Sequence, residues 1–196
     1  MSYDPPRPAG RLLVTPEDRE APARTLRLRG LGLGERPEPA LDAFAAHLAE
    51  RAGAPYGMVN FLDERGQFFA GLHTPERAGR MVRPAADGSG IRVAMGRRLP
   101  RDHGFCPHVV VRRKALVLED VRDYPRFAGN PVVDEFGIRS YLGAPLLDST
   151  GMVLGTVCVT DVVPRPWGRE GLRTIKSAAA RLVSRIEGRE VEDFPG

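Results

Sequence analysis

The sequence predicts an α+β domain built on an antiparallel sheet, and three observations carry that prediction. Apolar runs at 138–147 and 151–160, with β-branched and aromatic content, flank Asp148-Ser149-Thr150-Gly151, a tight turn with glycine where a positive φ is easiest. A second pair of runs, 56–62 and 67–72, flanks Asp63-Glu64-Arg65-Gly66 in the same way. One amphipathic helix precedes these hairpins and another follows them. Strands that come in hairpins pair antiparallel, and helices outside the hairpins are left to cover the sheet.

Taken in order, residues 1–36 carry Pro5, Pro6, Pro8, Pro16 and Pro22, then Gly30, Gly32 and Gly34, with six Arg between Arg7 and Arg29. This composition cannot bury enough apolar surface to fold alone and reads as a flexible basic arm, either solvated or laid on an acidic partner. Residues 39–52 form a helix. Leu41, Phe44, Ala45, Leu48 and Ala52 share one stripe, and Asp42, His47, Glu50 and Arg51 lie away from it. Pro39 suits its first turn and Gly53 its end.

After the first hairpin, residues 74–101 read as irregular, with Pro75, Pro84, Pro100 and four Gly. A loop of this length is a lid, a binding segment or disordered. Seven Arg there face only Glu76 and Asp87, which accounts for the net positive charge of the whole chain. Arg92, Arg97, Arg98 and Arg101 are therefore candidate contacts for an acidic partner, against the blander reading of a solvated loop.

Residues 102–112 are expected to form a short helix with Phe105 and Val109 turned inward, and 115–119 a short strand. The stretch Tyr124–Pro131, holding Pro125, Gly129 and Pro131, is expected to be irregular. The last helix spans 168–187, where Leu172, Ile175, Ala179, Leu182 and Ile186 alternate steps of three and four. That stripe can pack on the sheet or against the same helix of a second copy, which makes it the candidate homodimer contact. Gly188 is expected to end the helix, leaving 189–196 as a polar tail.

The residues of the second half resemble a known family. Asp120, Pro125-Arg126-Phe127, Asn130-Pro131, Gly143-Ala144-Pro145-Leu146, Asp148…Gly151 and Leu154-Gly155-Thr156-Val157-Cys158-Val159-Thr160-Asp161 are similar to the C-terminal half of a GAF domain. Upstream, Gly104-Phe105-Cys106-Pro107-His108-Val109-Val110 resembles the family's Ser-Phe-Cys-Ala-His-Ala-Ile segment. The resemblance covers about residues 37–188, with 74–101 matching poorly. It implies a GAF-like fold: a central antiparallel sheet of about six strands, the N- and C-terminal helices on one face, and a ligand pocket under loops and a short helix on the other. The type it is similar to is the stand-alone, Arg-rich actinobacterial one.

Composition narrows the function classes. The chain has 196 residues, long enough for one domain with a core, and 42% of them are hydrophobic. A net charge of +4 is too small for a dedicated nucleic-acid binder, and no recognition helix is legible, so nucleic acid is not an expected partner. Lys occurs only at 114 and 176, so the basic residues are almost all Arg. No apolar leader and no run near the roughly 20 apolar residues of a spanning helix is visible, which gives the expectation of a cytoplasmic protein with reduced thiols. Two Cys and four His show none of the short spacings of a metal site.

No catalytic residue, cofactor or metal is expected. One GAF branch reduces free methionine sulfoxide, and Cys106 is similar to its resolving position. The nucleophile's place corresponds to Val132-Val133-Asp134-Glu135-Phe136, which holds no thiol, and without one the mechanism has no first step. That reductase is kept as a remote alternative. The bilin and cyclic-nucleotide signatures of other branches do not fit in order. Haem stays formally open through His103 or His108, but a lone histidine here reads more often as a hydrogen-bonded structural residue.

The resemblance thus implies a signalling protein that acts by contact with a histidine kinase, a Roadblock-type protein or a small GTPase. Its alternative is a small-molecule sensor. A pocket would be lined by Phe69, His103, Phe105, Cys106, His108, Arg139 and Tyr141, an apolar wall with a few polar groups. Arg139 would hold a carboxylate or phosphate, or else pair with Asp134 or Glu135. Cys106 would sense redox state only if exposed with a lowered pKa.

Overall fold

Helix α1 (Ala21–Gly30) already departs from expectation, because it lies inside the segment read as a flexible arm. The structure, a computed structural model, describes residues 15–74, 81–84, 90–93 and 96–192; the first 14 residues of that segment lie outside it. Pro22 falls in the first turn of α1, and Ala21, Arg24, Thr25 and Leu28 form its buried side. An apolar-periodicity reading misses this helix because the centre of its buried face is an arginine. The Arg24 guanidinium is completely buried and forms a two-pronged ion pair with Asp18 at 2.6 and 3.0 Å, while its Nε donates to the Val153 carbonyl. Burial alone would raise the Asp18 pKa, but Arg24, and Arg101 beside it, hold that carboxyl below its ordinary value.

Helix α2 (Pro39–Ala52) has the expected bounds and stops at Gly53, whose φ is 63°. It rests on β1 (Tyr56–Asp63) and β2 (Gly66–His73), which form the first hairpin. The contact is backbone-close: a Cβ at Gly57 would lie 2.2 Å from the Ala45 carbonyl oxygen, and one at Gly71 2.3 Å from that of Leu41. Larger residues at these two positions would lift the helix off the sheet.

The segment read as an irregular loop contains β3 (Met81–Pro84) and β4 (Gly90–Val93), a separate two-stranded ribbon, and β5 (Arg98–Leu99), which pairs with β2 at the sheet edge. Helix α3 (Cys106–Arg112) starts later than Asp102, and β6 (Leu116–Leu118) follows. The expectation that Tyr124–Pro131 is irregular is corrected by α4 (Pro125–Ala128) and α5 (Pro131–Phe136). Each proline occupies a first turn, where its missing N–H has no partner to lose. Strands β7 (Ser140–Leu147) and β8 (Val153–Asp161) form the second hairpin. Helix α6 (Gly168–Glu192) runs through Gly188, so the tail does not begin there; residues 193–196 lie outside the described residues.

The main sheet has six strands in the order β5-β2-β1-β8-β7-β6, every neighbour antiparallel. One face packs under α2 and α6: Val59, Phe61, Phe68, Leu142, Val157 and Val159 meet Leu41, Phe44, Leu48, Ile175, Leu182 and Ile186. The other packs under α3, α4 and α5: Met58, Phe69, Tyr141 and Cys158 meet Phe105, Val109, Phe127, Val132 and Phe136. Ile175, Ala179, Leu182 and Ile186, with Leu172 partly buried, are therefore spent on the sheet. The candidate dimer stripe is not free for a second copy: each large aliphatic side chain there gains about 1.5–3 kcal/mol from burial that exposure would forfeit.

Removing one partner of a buried pair strands the other charge. Arg24→Ala is expected to lower the unfolding free energy by about 3 kcal/mol, read by urea denaturation; a loss near zero would contradict the role given to this pair.

Candidate functional site

Five of the seven candidate pocket residues converge on the face away from α2 and α6. Phe69, Phe105, Cys106, His108 and Tyr141 are each at most 5% exposed. Phe105 stands edge-on to Tyr141 and to Phe127 at centroid distances of 5.2 and 5.7 Å, and His108 meets Phe127 at 4.9 Å. These are packing geometries of a filled core. His108 stays neutral at physiological pH, since burial and then the charges of Arg126 and Arg112 lower its pKa to about 4.

The centre of this face is a sulfur and hydroxyl cluster. Tyr141 and Gly143 lie on the same side of β7. A Cβ at Gly143 would sit 2.2 Å from the Tyr141 hydroxyl, so the ring lies along the strand over the glycine. Gly143 pairs with Cys158 across β8, so the hydroxyl lands beside the thiols. The Cys106 Sγ is 3.4 Å from it and 3.8 Å from the Cys158 Sγ, and Cys158 is 3.8 Å from the Met58 sulfur. Cys106 is the more acidic thiol, because Cys158 donates toward it while Thr156, Tyr141 and Asn60 add to the effect against burial. Cys158 is pushed up by that same contact and by burial, and burial likewise keeps Tyr141 a phenol. Both thiols are buried, the environment in which cysteines are inert.

Three carboxamides, Asn60, Gln67 and Asn130, border the face. Asn60 donates to Gln67 at 2.9 Å, and Gln67 donates to the carbonyls of Pro100 and His103 at 2.8 and 2.6 Å. Asn130 accepts from the Gly104 N–H and donates to its carbonyl at 2.8 and 2.9 Å, while also capping α5. Residues 100–104 are thereby tied down across the entrance. The Asn60 Oδ1, Thr156 Oγ1, Thr160 Oγ1 and His108 Nδ1 are buried without a hydrogen-bond partner.

The remaining two candidates lie at the rim. His103 contacts Asp102 at 2.9 Å and Glu135 at 3.6 Å. Arg139 pairs with neither Asp134 nor Glu135 but with Asp120, its Nε at 3.0 Å from Oδ1 and its Nη2 on Oδ2. Asp120 sits at the start of the single 3-10 turn before α4, and its carboxyl also accepts from the Arg122 N–H. The Arg139 hydrogen bonds, against burial, lower its pKa.

The described arginine side chains of the 74–101 segment, Arg97, Arg98 and Arg101, are also engaged. Arg97 forms a two-pronged pair with Asp42 at 3.0 Å and donates to the Phe69 carbonyl. Arg98 covers the Phe68 ring at 4.7 Å, and Arg101 reaches Asp18 at 3.4 Å. The Arg92 side chain lies outside the described residues. Sequence reasoning missed Asn60 and Gln67, and it quoted Asp120, Gly143 and Cys158 for the family resemblance without placing them among the pocket residues. The available signal was Thr156-x-Cys158-x-Thr160, a polar alternation opposite Val157 and Val159 that marks a second face.

Because the folded-state pKa of Asp120 is depressed, its contribution is complete above the ordinary carboxylate pKa and is lost as pH falls through the lower folded value. Asp120→Asn is expected to melt below the parent protein at pH 7, and the gap is expected to shrink as pH falls below about 4. A gap constant from pH 7 to 2 would contradict this.

A GAF domain family model matches residues 36–186. A cyclic di-GMP phosphodiesterase of Pseudomonas aeruginosa is 30% identical over 159 residues, covering 79% of this chain and 24% of that protein, so the chain spans about a quarter of its length. Among solved structures, the GAF domain of a phosphoenolpyruvate-protein phosphotransferase from Coxiella burnetii superposes with a TM-score of 0.58 at 16% identity, covering 87% of this chain and 94% of that one. A free methionine-R-sulfoxide reductase from Neisseria meningitidis, solved with its substrate, gives 0.56 at 19% identity and covers 75% of each chain. At those identities the two structures speak for the fold alone. With the matched model spanning both hairpins and both covering helices, this chain belongs to the GAF domain family.

Proposed function

We propose that this GAF domain is a non-catalytic signalling module that acts by contact with a partner protein, of the kind found with sensor kinases, Roadblock-type proteins or small GTPases. The observation that carries this reading is the closure of the face where a ligand would enter. Phe105, His108, Phe127 and Tyr141 fill it, and Asn130 and Gln67 tie residues 100–104 across it.

The sensor alternative draws on Arg139 as an anion anchor, but Asp120 already neutralises that guanidinium. The reductase alternative draws on Cys106 and Cys158, whose sulfurs are adjacent. It needs a solvent-reachable nucleophile, whereas α5 occupies the corresponding place with Val132, Val133 and Phe136 turned into the core. No helix among the described residues is long and apolar enough to cross a membrane.

Native mass spectrometry of the purified protein is expected to give the mass of the unmodified chain. Melting is expected to be unmoved by cyclic di-GMP or free methionine sulfoxide, since a ligand that binds the folded state must raise its stability. A stoichiometric small-molecule increment, or a dose-dependent rise in melting temperature, would support the sensor instead. Dithiol-driven turnover of methionine sulfoxide would support the reductase.

A further inference from the structure

The outer surface formed by α2 and α6 carries a positive charge that no ion pair among the described residues answers. Arg51, Arg169, Arg173, Lys176, Arg181 and Arg185 are exposed there, and none takes part in an ion pair or side-chain hydrogen bond among the described residues. Glu50 and Glu170 are the exposed carboxylates of the same helices among the described residues. Arg169 and Arg173, and again Arg181 and Arg185, stand four apart on one helix, a spacing at which like charges repel. This contrasts with Arg97, Arg98 and Arg101, whose charges are spent on Asp42, the Phe68 ring and Asp18.

Between the two helices runs a shallow groove of about 40 Å³, lined by Phe44, Leu48 and Ala178 with His47, Arg51 and Arg181 among its walls. Phe44, Leu48 and Ala178 are at most 9% exposed, so the groove offers an incoming side chain a small apolar floor rather than a deep cavity.

We infer that the outer face of α2 and α6 is the docking surface for an acidic, amphipathic protein segment, which lays an apolar side chain into the groove and sets carboxylates against Arg51, Arg181 and Arg185. The inference rests on the contact-module reading and names its surface. Charge complementarity selects the occupant. A second copy presenting the same face would bring cations against cations. A nucleic acid would find phosphate partners on the crest but nothing for an apolar floor. An acidic segment satisfies both features, since complementary charge steers it and a buried apolar anchor holds it.

The test is fluorescence anisotropy with a synthetic helical peptide of about 18 residues, carrying a Leu stripe flanked by Glu, beside the same peptide with Gln for Glu and a short DNA duplex. The proteins are the parent chain, R173E/R181E/R185E, the groove-filling Ser177→Phe, and Arg122→Glu on an exposed turn of the opposite side. All are first checked by thermal melting, with Arg181→Glu alone replacing the triple variant if that one melts early.

The Glu peptide is expected to bind the parent chain, about tenfold weaker in the triple variant and in Ser177→Phe, and unchanged in Arg122→Glu. The Gln peptide is expected to bind about tenfold weaker than the Glu peptide. Tighter binding of DNA than of the Glu peptide, equal loss in Arg122→Glu, full binding by Ser177→Phe, or no binding to the parent chain would each overturn the surface. Such failure leaves the contact-module reading standing, whereas a bound small molecule in the native spectrum defeats that reading whatever the peptide does.

Discussion

Strand β8 is buried along its entire length, from Val153 to Asp161, and the rest of the molecule follows from that constraint. A strand buried on both sides needs a cover on each face, and an antiparallel sheet that covers only one leaves the other to water. Here Val157 and Val159 face α2 and α6, while Thr156, Cys158 and Thr160 face the opposite way, where α3, α4 and α5 close the second layer. The order of the sheet places β8 and β1 at its centre and leaves the short strands β5 and β6 at the edges. Each edge strand is two or three residues long, which limits the unpaired backbone it offers to another chain.

The second layer is an apolar cluster in its own right, from Met58 and Phe69 to Phe105, Phe127 and Phe136, and polar contacts fix the loops around it. Asn130 caps α5 and grips Gly104, Gln67 grips two carbonyls across the entrance, and Tyr141 lies over Gly143 to meet Cys106. Buried polar groups that are satisfied specify one arrangement, and these bonds fix residues 100–104 and α5, while the Asn60 Oδ1, Thr156 Oγ1, Thr160 Oγ1 and His108 Nδ1 of the same face take no part in them. On the other side, Arg24 and Asp18 fasten the N-terminal helix to the sheet at the Val153 carbonyl. The functional reading rests on this contrast. The face under α3, α4 and α5 is packed with Phe105, Phe127 and Tyr141, and the side covered by α2 and α6 is where charge remains unpaired among the described residues.

Much of this was legible in the sequence, and the misses share causes. Helix α2 was read to the residue, because Pro39, Gly53 and an unbroken apolar stripe all point the same way. Both hairpins were read to within a few residues, and the family resemblance supplied the six-strand sheet. Helix α1 was lost because Pro22 and its arginines imitate an arm, and the burial of Arg24 depends on Asp18 and on a carbonyl 129 residues away. Helices α4 and α5 were lost because proline was taken as a breaker when it stood at a start. Five of the seven candidate pocket residues converge near Tyr141 and two lie at the rim, and periodicity cannot tell an open wall from a packed one. The partner of Arg139, Asp120, lies 19 residues upstream and across a turn, beyond any local spacing rule.

The most direct test of the central claim, that the α3–α5 face is a closed core continuous with the sheet, is native-state hydrogen exchange across a denaturant series. The account predicts that the amides of Val110 in α3 and Cys158 in β8 exchange through the same global opening, with the same free energy and denaturant slope. Exchange of α3 and α5 amides through a smaller opening insensitive to denaturant, while β8 stays protected, would contradict it and return this face to the role of a ligand gate.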